Sequence, residues 1–309
     1  MRRLTPELTG LAWMVTANVL FAFMSIAARL AARSANWSTI GASRAFIGAL
    51  VAVVVAVRTG TSLRTRSFGL SAARSGFGTL SMLLTFYALA QSDLAVGDAV
   101  TLFATTPLFI ALLAPVILKE RADARLWGLL VIAFAGVACI AGPHLKIDAL
   151  PAGAALASAV FSAIAMMFLR MMRSGSAGGP PESAEAIALH FALVSLTVHV
   201  AIASFSFRWP ETRDIGYLAL TGLCGGLAQL AMTRAYALVE AARLGAVSYV
   251  GTVVAFVAAV VLLDEQPQPL QVLGATLVIG AGVVLALHAT RTARVIRTGP
   301  EERRDNVRA

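Results

Sequence analysis

Ten stretches of the chain are apolar enough and long enough to read as membrane-spanning helices: Leu8–Leu30, Thr39–Val57, Ser75–Gln91, Gly97–Leu118, Leu126–Ile140, Gly153–Met172, Ala186–Phe205, Ile215–Leu238, Leu244–Leu263 and Leu270–His288. A helix rises about 1.5 Å per residue, so about 20 apolar residues cross a hydrocarbon core of about 30 Å. The fifth stretch is the shortest, and its ends are the least marked. The longest polar connection, Ser174–Glu185, holds Gly175, Gly178, Gly179, Pro180 and Pro181 and reads as a flexible loop. The first stretch follows Arg2 and Arg3 and precedes Ala32 and Ala35, as a signal peptide would. Its apolar run is long for that role, so it reads as the first span.

Composition removes a soluble helical protein from consideration. The chain has 309 residues, 58% of them hydrophobic and 13% charged, with a mean hydropathy of +0.80. A soluble domain carries about 25% charged residues. The net charge of +9 does not point to nucleic acid, because Lys and Arg cluster between apolar stretches and at the C-terminus, where topology signals fall. Cys139 and Cys224 both lie inside apolar runs with no metal-ligand neighbour and no CxxC, so they read as small hydrophobes. No metal and no cofactor is expected.

The pattern occurs twice. Tyr87-Ala88-Leu89 leads through an apolar run to Leu118-Lys119-Glu120, then to Gly128, Gly136 and Val137. Tyr236-Ala237-Leu238 leads through another to Leu263-Asp264-Glu265, then to Gly274, Gly282 and Val283. The glycine spacing is the same in both. This is an internal duplication of a five-helix unit, 1–142 and 149–290, followed by a basic tail, 291–309, that reads as unstructured.

Orientation follows from the basic residues. With the N-terminus inside, the cytoplasmic side holds Arg2, Arg3, Arg58, Arg64, Arg66, Arg74, Lys119, Arg121, Arg125, Arg170, Arg173 and the arginines of the tail. The external side holds Arg29, Arg33, Lys146, Arg208 and Arg213. Both termini are therefore expected in the cytoplasm. Five is odd, so the second unit enters the membrane from the opposite face. The expected fold is all-α and integral to the membrane, with ten transmembrane helices in two inverted-topology repeats.

Short motifs recur in a specific order. The first half reads Thr106-Pro107-Leu108-Phe109, Leu118-Lys119-Glu120-Arg121 and Phe134-Ala135-Gly136-Val137; the second reads Ala228-Gln229, Thr233-Arg234-Ala235-Tyr236, Tyr249, Asp264-Glu265-Gln266-Pro267 and Gly274-Ala275. Over residues 8–290 the chain resembles the EamA-type branch of the drug/metabolite transporter superfamily. The resemblance implies a ten-helix carrier of amino acids or other small metabolites in the bacterial inner (cytoplasmic) membrane. One departure stands out. Thr252 occupies the place of Pro107, so a symmetric pair of kinked helices does not follow from sequence.

Candidate site residues come from polarity and interrupted backbone at membrane depth, tolerated only where the chain faces protein or a water-filled cavity. Pro107 has no N–H and deprives the Phe103 carbonyl of its helical donor; the hydroxyls of Thr105 and Thr106 are placed to substitute. The matching region of the second half is Gly251-Thr252, after Ser248 and Tyr249. Gln229, Thr233 and Tyr236 share one helical face, as do Asn18 and Ser25. The substrate-binding candidates are thus Asn18, Thr105, Pro107, Gln229, Thr233, Tyr236, Tyr249 and Gly251. Packing, or for Tyr236 anchoring at the membrane interface, is the plain alternative. Arg44 and Asp98 lie toward the external ends of their helices, either as a buried ion pair or as an outer gate. His190 and His199 share the seventh stretch, and Ser158 and Ser162 the sixth; all four suit close packing. Glu120 and Glu265 close the fourth helix of each half and suit bonds to helix-end N–H groups or to nearby arginines.

No clustered nucleophile, base, metal set or nucleotide motif marks an enzyme or an ATP-driven pump. The leading expectation is a secondary carrier of a small-molecule metabolite, one five-helix unit rocking against its mate. The alternative is a flippase for a lipid or lipid-linked sugar. Membrane lipids are expected partners. The small-residue face of Gly274, Gly280 and Gly282 suits packing within a protomer or a homodimer contact.

Overall fold

A computed structural model describes residues 5–90, 102–120, 123–141, 149–175, 180–205, 207, 209–263 and 268–298. These residues form helices α1 (Pro6–Ala31), α2 (Trp37–Thr59), α3 (Phe68–Ala90), α4 (Thr106–Ile117), α5 (Ala124–Ala141), α6 (Ala149–Ser174), α7 (Ala184–Ala203), α8 (Thr212–Leu238), α9 (Ala241–Ser248), α10 (Val250–Leu263) and α11 (Pro269–Thr298). Among the described residues there is no strand. Among the described residues, five helices are long and apolar enough to cross a bilayer: α1, α2, α6, α7 and α8.

Local chemistry sets several helix ends. Thr5 accepts from the Leu8 N–H at 3.3 Å with Pro6 as the first helical residue of α1. Asp123 accepts from Leu126 N at 2.7 Å to open α5, and Ser183 accepts from Ala186 N at 3.1 Å to open α7. Gly60, at φ 67°, closes α2 in the left-handed region.

The polarity runs inside out relative to a water-soluble protein. Phe46, Val57, Val116, Phe205 and Trp209 lie on the outer surface, whereas Asn18, Ser75, Arg74, Thr233 and Gln229 are buried. That arrangement fits a lipid solvent. Hydroxyls join helices inside: Thr85 and Ser158 meet at 2.6 Å, and Ser81 donates to the Ser158 carbonyl at 3.0 Å, tying α3 to α6.

The principal packed pairs are α1 with α8, α3 with α6, α2 with α7 and α8, α3 with α7, α4 with α6, α5 with α11, α1 with α9 and α10, and α4 with α9. Take α9 and α10 as one interrupted segment. Exchanging each helix of one half for its counterpart then converts α1–α8 into α6–α3, and α2–α8 into α7–α3. It converts α4–α6 into the contact of α9 and α10 with α1. The pairs α2–α7, α4–α9 and α5–α11 map onto themselves. The most extensive interfaces therefore join helices of different halves. The expectation of one five-helix unit rocking on the other as a rigid body does not suit this packing, because the halves interleave.

Two further expectations change. α3 begins at Phe68 rather than Ser75, since a single arginine, Arg74, lowered the apolar average of a segment that remains helical. α11 runs to Thr298, so Arg291, Arg294 and Arg297 lie on a helix rather than in an unstructured tail.

Candidate functional site

α2, α7 and α8 leave a pocket between them. Arg44 and Gly48 line it from α2, Phe191 and Ser195 from α7, and Gly225, Gly226 and Gln229 from α8, with Ala45, Ala188 and Ala192 filling the walls. Its enclosed volume is about 20 Å³, room for about one water molecule, and it is open at its mouth. Small residues make the room. The α-carbons of Gly48 and Gly226 face each other so closely that a Cβ on Gly226 would meet the Gly48 Cα at 3.0 Å.

Of the candidates, Gln229 and Arg44 reach this pocket. The Gln229 amide donates to Thr233 Oγ1 at 3.3 Å, and that hydroxyl donates to the Gln229 carbonyl at 2.7 Å. Thr233 thus orients Gln229. Arg44 directs Nε to Met24 Sδ at 3.2 Å and Nη1 to Met82 Sδ at 2.6 Å. Asp98, its expected partner, lies outside the described residues.

A second group gathers where α1 meets the broken ninth segment. The interruption is a single residue, Tyr249, between α9 and α10 and two residues before Gly251; its backbone keeps helical angles, φ −63° and ψ −20°, and its carbonyl accepts from Thr252 N at 3.1 Å in a tighter turn. Gly251 packs on Asn18: a Cβ there would lie 3.3 Å from Asn18 Oδ1. Asn18 donates to its own helix, Nδ2 to the Met14 carbonyl at 2.8 Å, so Oδ1 is the atom turned to Gly251. The Tyr249 hydroxyl is buried with no hydrogen-bond partner.

The first half is interrupted at the corresponding place. Residues 104–105 form a turn before α4, and Pro107 is in the first turn of that helix. Thr106 Oγ1 donates to the Phe103 carbonyl at 2.8 Å, filling the place of the missing Pro107 N–H, and Thr105 Oγ1 donates to Leu102 O at 2.6 Å. Pro107 packs against Gly245 of α9, where a Cβ would meet it at 3.2 Å. Both halves therefore carry a break, although only one has the proline.

Tyr236 is 1% exposed and lies in the main apolar core, which removes the interfacial-anchor reading. Its carbonyl accepts from Arg170 Nη1 at 2.8 Å, while Arg170 Nε pairs with Glu120 at 2.7 Å. Glu120 Oε2 accepts from Ala241 N at 3.0 Å, at the start of α9. Its cation is therefore Arg170, not the adjacent Lys119. At the same end Arg173 donates to the carbonyls of Thr233, at 3.2 Å, and Glu182. Glu182 accepts from the N–H groups of Arg66 and Ser67 at 2.6 and 2.7 Å, and Arg234 pairs with Glu185 at 2.9 Å. At the opposite end, buried Asp214 accepts from Ser34 Oγ at 2.6 Å.

His190 meets Ser75 at 2.8 Å, and His199 meets the Ser195 carbonyl at 2.8 Å beside Trp37. Ser25 turns back to the Phe21 carbonyl at 2.9 Å. These side chains serve packing. Sequence reasoning missed Phe191, Ser195 and Arg74. Arg74 is the most informative omission, for it had been placed in a cytoplasmic loop and is 1% exposed, its Cζ 4.0 Å from the Phe191 ring centroid. Burying an arginine without a carboxylate against it among the described residues is costly, which makes Arg74 a candidate functional residue. The sequence signal was its place one turn before Gly78, which makes room for it.

The model of the EamA-like transporter family matches residues 8–142 and again 150–287. The chain is 26% identical over 280 residues to the pseudopaline exporter CntI of Pseudomonas aeruginosa, covering 90% of this chain and 96% of that protein. It is 26% identical over 243 residues to the riboflavin transporter of Vibrio cholerae, covering 76% and 78%. It is 22% identical over 283 residues to the S-adenosylmethionine uptake transporter of Rickettsia prowazekii, covering 90% and 92%. A solved crystal structure with 18% identity superposes with a TM-score of 0.78 over 92% of this chain and 98% of the other, a likeness of fold.

Proposed function

Because the chain belongs to the EamA-like transporter family, we propose that it is a secondary carrier. It moves a small metabolite, an amino acid or a related compound, across the bacterial cytoplasmic membrane by alternating access. The relatives named above transport small molecules, which supports the substrate size. In this reading the chain spans the bilayer ten times as two inverted units, 1–142 and 149–290, with both termini and the basic tail in the cytoplasm. The Glu120–Arg170 end is then cytoplasmic, and the Ser34–Asp214 end external.

The observation that carries the proposal is the pocket between α2, α7 and α8, with Arg44 and Gln229 in its wall. A pocket with Arg44, Ser195 and Gln229 in an otherwise apolar wall, inside a lipid-facing bundle, has no packing value. It is useful to a solute that must leave water. The turn before α4 and the tightened turn between α9 and α10 are interruptions at corresponding places in the two halves, the pattern expected beside a transport site. Because packed pairs cross the halves, the moving bodies are mixed sets of helices rather than one repeat each.

The test is a thermal-shift screen of purified, detergent-solubilised protein against amino acids, nucleosides, vitamins, polyamines and sulfonium metabolites. A ligand at 100 times its Kd stabilises the folded state by about 2.7 kcal/mol. A selective hit weakened by Gln229→Ala supports the carrier with this pocket as its site. A selective hit indifferent to Gln229→Ala and Asn18→Ala contradicts the site. Absence of any hit, together with lipid scrambling in proteoliposomes, contradicts the carrier of soluble metabolites and favours a flippase.

A further inference from the structure

We propose that Arg44 and Arg74, both set against Phe191, form a binding site for the anionic group of the solute, so that the substrates are small organic carboxylates. The inference rests on the carrier reading and adds to it the charge of the cargo.

Both arginines lie deep. Arg44 is the eighth residue of α2 and Arg74 the seventh of α3, which places each roughly 10 Å inside its helix. Their seats are built. A Cβ on Gly225 would lie 3.1 Å from Arg44 Nε, and one on Gly78 would lie 2.8 Å from Arg74 Nη1. Both are set against the Phe191 ring, with Arg44 Cζ 5.9 Å and Arg74 Cζ 4.0 Å from its centroid. Sharing one ring, the two guanidinium carbons lie at most about 10 Å apart.

What they lack, among the described residues, is an anion. Arg44 directs its bonds to two thioether sulfurs, which are weak acceptors. Arg74 Nε and Nη1 are buried with no hydrogen-bond partner among the described residues. No ion pair among the described residues includes either arginine. By contrast, Arg170 and Arg234 each hold a carboxylate, and Arg173 holds two carbonyls. Two like charges in a dry interior repel, and a bound anion satisfies both at once. The planar fork of arginine matches a carboxylate. Gln229 and Ser195, in the same wall as Arg44, offer neutral polar groups to the rest of the solute, while the pocket's small volume limits its size.

The experiment compares benzoate with benzamide, its uncharged isostere, on the purified full-length protein at constant ionic strength. The readout is the shift of the unfolding midpoint with concentration. Saturable stabilisation by benzoate but not benzamide is expected, weakened about tenfold or more in R44Q and in R74Q. Equal effects of the two probes, or benzoate affinity unchanged in both variants, would overturn the proposal. Should R74Q not fold, R44K and R74K keep the charge and remove the fork; reduced benzoate affinity supports the site, and unchanged affinity overturns it. Asp98 supplies one more arm. If D98N destabilises the protein, R44Q restores it and benzoate acts on none of these forms, the arginine's counter-charge belongs to the chain and the proposal fails. Solute counterflow separates the two levels: transport of uncharged solutes, insensitive to R44Q and R74Q, sinks the anion site and leaves the carrier standing.

Discussion

Gly136 of α5 and Gly274 of α11 meet backbone to backbone: a Cβ built on Gly136 would lie 2.7 Å from the Gly274 carbonyl oxygen. They are the second glycine of one repeat and the first of the other, brought together where the two closing helices cross. Their repeat mates, Gly282 and Gly128, have nothing within 4 Å. Gly136→Ala is therefore expected to destabilise by about 1–3 kcal/mol through overpacking, while Gly128→Ala and Gly282→Ala are near neutral. Thermal unfolding of the three single alanine variants in one detergent checks this, and equal midpoints would contradict the contact.

Glu120 joins α4, α6 and α9 through Arg170 and the Ala241 N–H. Glu120→Gln keeps the shape and removes the charge. A hydrogen bond to a charged group contributes about 1.5–3 kcal/mol, so a loss of that order is expected. A double-mutant cycle with Arg170→Met should show coupling of about 1 kcal/mol or more; additive losses would show that the pair does not act as a unit.

Much of this was legible in the sequence. Apolar runs located the helices because a bilayer core demands unbroken apolar length, and the repeat anchors located Gly136 and Gly274. The pattern also located Glu120 at a helix junction, although Arg170 is fifty residues away in the chain and no local spacing announces that partnership. Thr106 as the donor replacing the Pro107 N–H followed from covalent structure alone. The interruption of the second half was legible at Gly251-Thr252 and falls two residues earlier, at Tyr249, because no proline marks its place. Arg74 was misread for the same reason that makes it interesting: one charge in an apolar stretch looks like the edge of a span until its neighbours are known.

Gly251 and Asn18 fix how closely α10 approaches α1. Gly251→Ala puts a methyl 3.3 Å from Asn18 Oδ1, a contact the amide can relieve by a small rotation. A loss below about 1 kcal/mol is expected. Gly251→Leu has no such relief, and a loss of about 1–3 kcal/mol is expected. Unfolding midpoints of the two variants that coincide would contradict the close approach.

Thr233 holds Gln229 by reciprocal hydrogen bonds within α8. Thr233→Val should cost about 1 kcal/mol in stability and raise KM through loss of Gln229 orientation, with Gln229→Ala raising KM further. Transport by Thr233→Val with wild-type KM would mean that Gln229 orientation does not matter to the solute.

Pro107 and Gly245 bring the first turn of α4 against α9. Pro107→Ala restores an N–H that competes with Thr106 Oγ1 for the Phe103 carbonyl, so a more continuous helix and slower transport are expected with folding intact. Wild-type transport rates in Pro107→Ala would separate the break from function.

The most direct measurement is solute counterflow in proteoliposomes loaded with the unlabelled ligand found by thermal shift. A secondary carrier exchanges solute across the membrane, so labelled ligand should accumulate transiently above equilibrium and then decay. The signal should fall in Gln229→Ala. Folded, correctly reconstituted protein that binds the ligand yet shows no counterflow would contradict the account.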